Sequence, residues 1–260
     1  MDPTARFASL VGDAETEPPL DVAALLIAAH VHPQLDVERW TTRLDELAAS
    51  CDVASFDGIA RRLFVVEGFR GNVEHYEDPA NSFLDAVLQR RTGIPITLAV
   101  VMIEVARRAG VAATGIGMPG HFLVGDPTRP DRFCDVFSGG RMLDVEACAA
   151  IFRRAVGPAH PFDAATLAPV SARAILARML ANLERSPLAG DPLHATWMAR
   201  LHLSIAGLPI AERVAVAQRL GELGSITTAA DELDALADDV AGDAAPRLRG
   251  EARALRARLN

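Results

Sequence analysis

Apolar positions recur at helical spacing through the first seventy residues. Residues 21–30 (DVAALLIAAH) are apolar on most sides, which predicts a buried helix. Residues 36–49 (DVERWTTRLDELAA) place Val37, Trp40, Leu44 and Leu47 three and four residues apart behind Asp36. That pattern predicts an amphipathic helix with an aspartate N-cap. Helical period continues from Phe56 to Val66, and Gly68-Phe69-Arg70-Gly71-Asn72 breaks it.

The central segment alternates differently. Ser82 is read as the cap of a helix (SFLDAVLQRR), with Asp85 three residues on as a variant capping box and Gly93 as its end. A second helix is predicted from about Pro95 to Ala109, since proline is tolerated in a first turn where its missing N–H has no intrahelical partner. After Gly110 the period shortens to two, predicting strands in VAATGIG, HFLVG and RFCDVF with turns at 127–131 and 138–140. From about Pro169 onward five helices are expected, at 171–185, 192–206, 211–220, 227–240 and 246–259. Paired helices of this size suggest a repeat-like module. A long helix followed by an antiparallel meander gives an α+β class. Three segments are expected: an N-terminal helical segment, 1–70, packed on the core, a core over 71–165, and a helical C-terminal segment over 166–260.

Composition narrows the function classes. The chain has 260 residues and a net charge of −8, which argues against a general nucleic-acid or anionic-membrane surface. No run approaches the apolar length of a membrane span, and the N-terminus lacks a basic segment followed by an apolar one, so a cytoplasmic protein is expected. All 26 basic residues are arginine, which excludes Schiff-base and catalytic ammonium chemistry. The three cysteines, Cys51, Cys134 and Cys148, form no CxxC pair and fit reduced thiols rather than a disulfide framework or zinc site. No metal or other cofactor is expected.

The strings YEDPANSFLDAVLQRRTGIPITLAVVMIEVARRAGVAATGIGMPGHFLVG and FCDVFSGGRML carry a resemblance. The chain resembles the bacterial SirB-type regulator family, whose transglutaminase-like core follows an N-terminal helical segment and precedes tetratricopeptide-like helices. The resemblance implies a papain-like fold with a cysteine at the start of the core helix and a His and Asp on adjacent strands. A helix N-terminus and a nearby imidazole lower a thiol pKa, and the carboxylate orients the imidazole. It places His121, after Pro119-Gly120 at a strand start, as the histidine and Asp135 as its orienting carboxylate. The nucleophile maps near Pro95, about a helix length before Arg107-Arg108-Ala109-Gly110, where Gly93-Ile94-Pro95-Ile96-Thr97 contains neither cysteine nor serine.

Other residues offer weaker chemistry. Thr97 has a hydroxyl near the helix start, with local hydrogen bonding to the backbone as its simpler role. Cys134 and Asp135 alternate to opposite strand faces, so Cys134 is expected to pack. Cys51 and Cys148 are read as core residues. Asn81, Arg90 and Arg91 are candidates to bind an acidic group or a peptide, against the alternative of a helix cap and a salt-bridged helix end. Glu104 amid apolar neighbours requires a partner such as arginine. His75, His194 and His202 are read as surface or hinge contacts, and His30-Val31-His32 lacks further metal ligands.

Two functions follow from these readings. The first is a regulatory, peptide- or protein-binding pseudoenzyme. The second is a hydrolase of amide-type bonds in which His121 with Asp135 activates water without a covalent intermediate.

Overall fold

The computed structural model describes residues 2–240, 242 and 244–259. In chain order its elements are α1 (Pro3–Val11), α2 (Leu20–Ala28), α3 (Val37–Ala49), α4 (Phe56–Ala60), β1 (Arg70–Gly71), α5 (Leu84–Arg90), β2 (Thr92–Gly93) and α6 (Pro95–Arg108). There follow β3 (Thr114–Ile116), β4 (Leu123–Asp126), β5 (Arg129–Asp135), β6 (Arg141–Leu143), α7 (Val145–Val156), β7 (Pro169–Val170), α8 (Ala172–Glu184), α9 (Pro192–Leu203), α10 (Ile210–Glu222), α11 (Ile226–Asp239) and α12 (Ala244–Ala257). Two compact units result, one of residues 17–179 and one of residues 1–16 with 180–260.

The first unit has α+β architecture. α6 starts on Pro95 and ends on Arg107 and Arg108, whose charges complement the carbonyl end of the helix. Leu98, Val101, Met102 and Val105 bury on it completely or nearly so. α3 forms behind Asp36, whose carboxylate accepts from the N–H groups of Glu38 and Arg39. The apolar stripe of α3 is buried at Leu44 and Leu47, while Val37 and Trp40 stay half-buried.

A five-stranded antiparallel sheet in the order β6-β5-β4-β3-β7 follows α6, with Gly115 opposite Val124, Val124 opposite Cys134 and Cys134 opposite Met142. Ile116, Leu123, Phe133 and Leu143 pack with Cys148 and Phe152 of α7. Strands β6 and β7 are too short for a period of two to mark them in the sequence. The expected strand at His121 begins instead at Leu123, because the 118–121 turn closes with the His121 N–H on Met118 O.

Three local expectations are corrected. Ser82 does not cap a helix; it ends a 3-10 turn, Pro79–Ser82, which Asp78 caps by accepting from Ala80 N–H at 3.0 Å. Pro79 presets that turn, and α5 begins after Phe83, while Asp85 turns to His32, with Nδ1 and Oδ2 2.6 Å apart. Gly93 does not end α5 either. Arg91 ends it in a left-handed conformation (φ 57°), and Thr92-Gly93 pairs in parallel with Arg70-Gly71. The predicted helix from Phe56 to Val66 is α-helical only to Ala60 and widens to π-type bonding over Arg61–Val66.

The second unit is helical among its described residues. Leu233 and Leu236 of α11 pack with Ala217 of α10 and with Leu248 and Ala252 of α12, where alanines allow close approach. Ala206 N–H donates to Val11 O, which joins α1 to this unit.

Candidate functional site

β5 ends on Asp135, and the turn before β4 presents His121. The two meet with His121 Nε2 and Asp135 Oδ1 2.9 Å apart. Gly120 makes this turn possible at φ 71°, where a side chain would be strained. Arg178 of α8 fixes it from outside, donating through Nη2 to Met118 O at 3.1 Å and His121 O at 2.9 Å, with its guanidinium 5.3 Å over the Phe122 ring.

Asp135 is 2% exposed, and its Oδ1 also accepts from Ser138 N–H at 3.1 Å. Arg141, its register partner on β6, holds Nη2 3.6 Å from Oδ2. Burial works to raise the Asp135 pKa, but hydrogen bonds from His121 and Ser138 outweigh it and hold the carboxyl below the ordinary carboxylate value. An ionised carboxylate only accepts, so Nε2 carries the proton of this hydrogen bond. In the neutral form of the ring that tautomer leaves the lone pair on Nδ1. Nδ1 makes no hydrogen bond among the described residues, and the His121 side chain keeps 14% of its exposure. Chemically, the arrangement is an oriented imidazole with one nitrogen open.

The start of α6 lies beside this pair through backbone bonds. Gly71 N–H donates to Phe137 O at 3.2 Å, and Asn72 N–H donates to Gly93 O at 3.0 Å. Consecutive residues thus bridge the site loop and the α6 entry. A Cβ on Gly71 would stand 2.4 Å from the Phe137 ring, so only glycine permits this approach. Phe137 in turn lies edge-on to His121 (6.5 Å between ring centres) and to Tyr76 (5.8 Å).

Residues 93–97, where the nucleophile maps, are all buried. The local hydrogen bond expected of Thr97 is not made: Thr97 is fully buried and its Oγ1 has no partner among the described residues. Its neighbours Ile94, Ile96 and Leu98 are buried apolar residues.

The three thiols stand elsewhere. Burial, reinforced by Asp135, pushes the Cys134 thiol far above its ordinary value, and burial pushes Cys148 up to about 12. Cys51 is half-buried, its pKa is raised by burial, and its Sγ donates to Leu47 O at 3.4 Å.

Asn81, Arg90 and Arg91 fall into local networks. Asn81 is fully buried; it donates to the carbonyls of His75 and Tyr76, and its Oδ1 accepts from Asn72 and from Arg90 at 2.7 Å. Arg90 also pairs with Asp78 at 2.7 Å. Arg91 pairs with Glu67 at 3.2 Å and bonds its carbonyl at 2.9 Å. Glu104, 3% exposed, receives Arg107 at 2.9 Å and Arg108 at 2.6 Å; Arg108 also reaches Asp45 at 2.6 Å and the buried Asp21.

Sequence reasoning missed Ser138, Arg141 and Arg178, which act through backbone or cross-strand geometry and leave no motif. It also misplaced His202. That residue is no surface contact: it is 2% exposed in the second unit, with Glu184 Oε1 3.0 Å from Nδ1 and Glu212 Oε1 3.0 Å from Nε2. Burial works to lower its pKa, but the two glutamates outweigh it and raise the value above the ordinary imidazole range.

An antiparallel sheet behind a core helix, with a His–Asp pair at its edge, defines a transglutaminase-like protein. The model of the transglutaminase-like superfamily matches residues 28–181. The UPF0162 protein of Pseudomonas aeruginosa is 34% identical over 205 residues, covering 75% of this chain and 74% of that protein. The UPF0162 protein of Xylella fastidiosa (strain Temecula1) is 40% identical over 178 residues, covering 64% of this chain and 63% of that protein. Mouse F-box only protein 21 is 32% identical over 136 residues, 49% of this chain but 21% of that protein. The match thus spans less than two thirds of the Xylella relative's length. No solved structure matches. The chain belongs to the transglutaminase-like superfamily and, within it, with the UPF0162 proteins.

Proposed function

We propose that this chain works without a cysteine nucleophile, as a regulatory module that binds a peptide or protein partner. The observation that carries the reading is the mismatch between an intact, oriented His121–Asp135 pair and the absence of an activated thiol beside it. A thiolate mechanism needs a low thiol pKa at an accessible helix start. Cys134 and Cys148 have the opposite environment. On this reading the chain is a SirB-type regulator in the cytoplasm, and its C-terminal helices are tetratricopeptide-like, offering a surface for an extended segment of the partner.

The free Nδ1 of His121 supports a second reading, a hydrolase in which the imidazole takes a proton from water attacking an amide-type carbonyl. One experiment separates the two. Wild-type protein and His121→Ala are compared in an amide- and ester-hydrolysis screen and in affinity capture from lysate. The regulatory reading expects equal background hydrolysis from both and a partner retained by the wild type. Turnover that disappears with the imidazole overturns it in favour of the hydrolase, and iodoacetamide-sensitive crosslinking would overturn both.

A further inference from the structure

Arg91 belongs to a second feature, away from the His–Asp pair. The unit of residues 17–179 contains a cavity of about 330 Å³ lined by Arg39, Trp40, Arg43, Glu46, Gln89 and Arg91 among others. That lining contains three arginines and one acidic residue, on a chain whose net charge is −8. Arg43 is neutralised by Glu46 at 2.9 Å and, more weakly, by Glu67 at 3.5 Å. Glu67 is also shared with Arg62 at 2.6 Å and Arg91 at 3.2 Å, so a single carboxylate serves three arginines. Arg39 has no carboxylate within ion-pair distance among the described residues; its guanidinium lies 5.1 Å over the Trp40 ring. The ring face holds that side chain without consuming its donors. Arg91 is held at φ 57°, a conformation that a non-glycine residue adopts at a cost, and it lines this wall with two of its guanidinium nitrogens on Glu67, leaving Nε–H and the second N–H of each Nη for a ligand.

From this geometry we infer that the Arg39–Arg43–Arg91 cavity binds the phosphate group of a small phosphate ester. The excess of positive charge in the wall matches a dianion better than a lone carboxylate. Guanidinium groups bind phosphate oxygens in pairs, and Gln89 adds a neutral donor at the rim. The volume falls at the lower end of ligand cavities, enough for a phosphate group with a small organic body.

The test uses the full chain at low salt, with calorimetry and arginine Nε–H NMR shifts as readouts. Inorganic pyrophosphate, phosphoserine and acetate are the probes. Pyrophosphate and phosphoserine should bind, shift the Arg39 and Arg91 resonances, and weaken with added salt. Arg39→Gln, an exposed position without an ion pair, should bind about tenfold more weakly with unchanged melting, as expected for one lost charge-assisted contact. Phosphoserine binding above pyrophosphate would place the organic body in the cavity as well. No binding, acetate binding equal to pyrophosphate, or an Arg39→Gln variant that binds as the wild type does would overturn the assignment.

Discussion

Each unit contains a histidine paired with carboxylate, His121 and His202, and the two differ in how many ring nitrogens are committed. In the sheet-bearing unit His121 uses Nε2 on Asp135 and leaves Nδ1 open. In the helical unit His202 has a glutamate on each nitrogen and 2% exposure. An imidazole with both nitrogens facing carboxylates is a cationic crosslink between α8, α9 and α10; it has no atom left for chemistry. An imidazole with one open nitrogen contributes less to stability and retains a proton-accepting site. Pairing with an acid therefore does not by itself decide what an imidazole can do; the second nitrogen decides whether it can still accept a proton.

The largest test of this contrast is truncation. His202→Ala should cost the helical unit about 3 kcal/mol, because two partly buried glutamates lose their shared counter-charge. His121→Ala should cost about 1 kcal/mol, because Asp135 keeps Ser138 N–H and Arg141. Urea unfolding followed by Trp197 fluorescence for the helical unit and Trp40 for the other measures both. Equal costs would break the comparison.

The next effect is pH dependence. The folded pKa of His202 is raised, so its stabilisation is fully present below the ordinary imidazole value of about 6.5 and is lost as pH rises through the higher folded value. Urea resistance of the helical unit should thus fall as pH rises above the ordinary imidazole value and through the higher folded one, and His202→Gln should flatten that slope. Asp135 has a lowered pKa, so its contribution is present above the ordinary value of 3.8 and is lost as pH falls through the folded value. The sheet-bearing unit should weaken in acid, and Asp135→Asn should remove part of that loss.

A smaller effect is expected at Thr97. Replacing its unpartnered buried hydroxyl by the similar shape of valine should leave stability unchanged or raise it by up to about 1 kcal/mol, read from the urea midpoint. A loss of stability would mean that the hydroxyl has a bonding role. Smallest of all should be thiol alkylation in the native protein. Cys51 should react before Cys134 and Cys148, which should label only on unfolding; mass spectrometry of peptides over a time course decides the order.

The contrast between the two histidines also explains what the chain reveals before folding. α3 is legible because its apolar positions recur every three or four residues behind Asp36, and α6 because a nearly continuous buried run follows Pro95. His121 and Asp135 lie within a recognisable string, fourteen residues apart on either side of a turn. Glu184 and Glu212 flank His202 at separations of 18 and 10 residues across helix turns, with no period to announce them. Short β6 and β7 owe their existence to neighbours rather than to their own alternation. Ser82 misleads because its capping chemistry is real, but the adjoining Asp78-Pro79 satisfies the backbone first.

The approach of Gly71 to Phe137 has a genetic consequence. Every missense change available to a glycine codon by one base substitution adds a side chain, and at this position the first added carbon already collides with the Phe137 ring. Random mutagenesis should therefore recover position 71 as a source of temperature-sensitive alleles. Such alleles would disturb the loop that follows Asp135 while leaving both His121 and Asp135 encoded as they are.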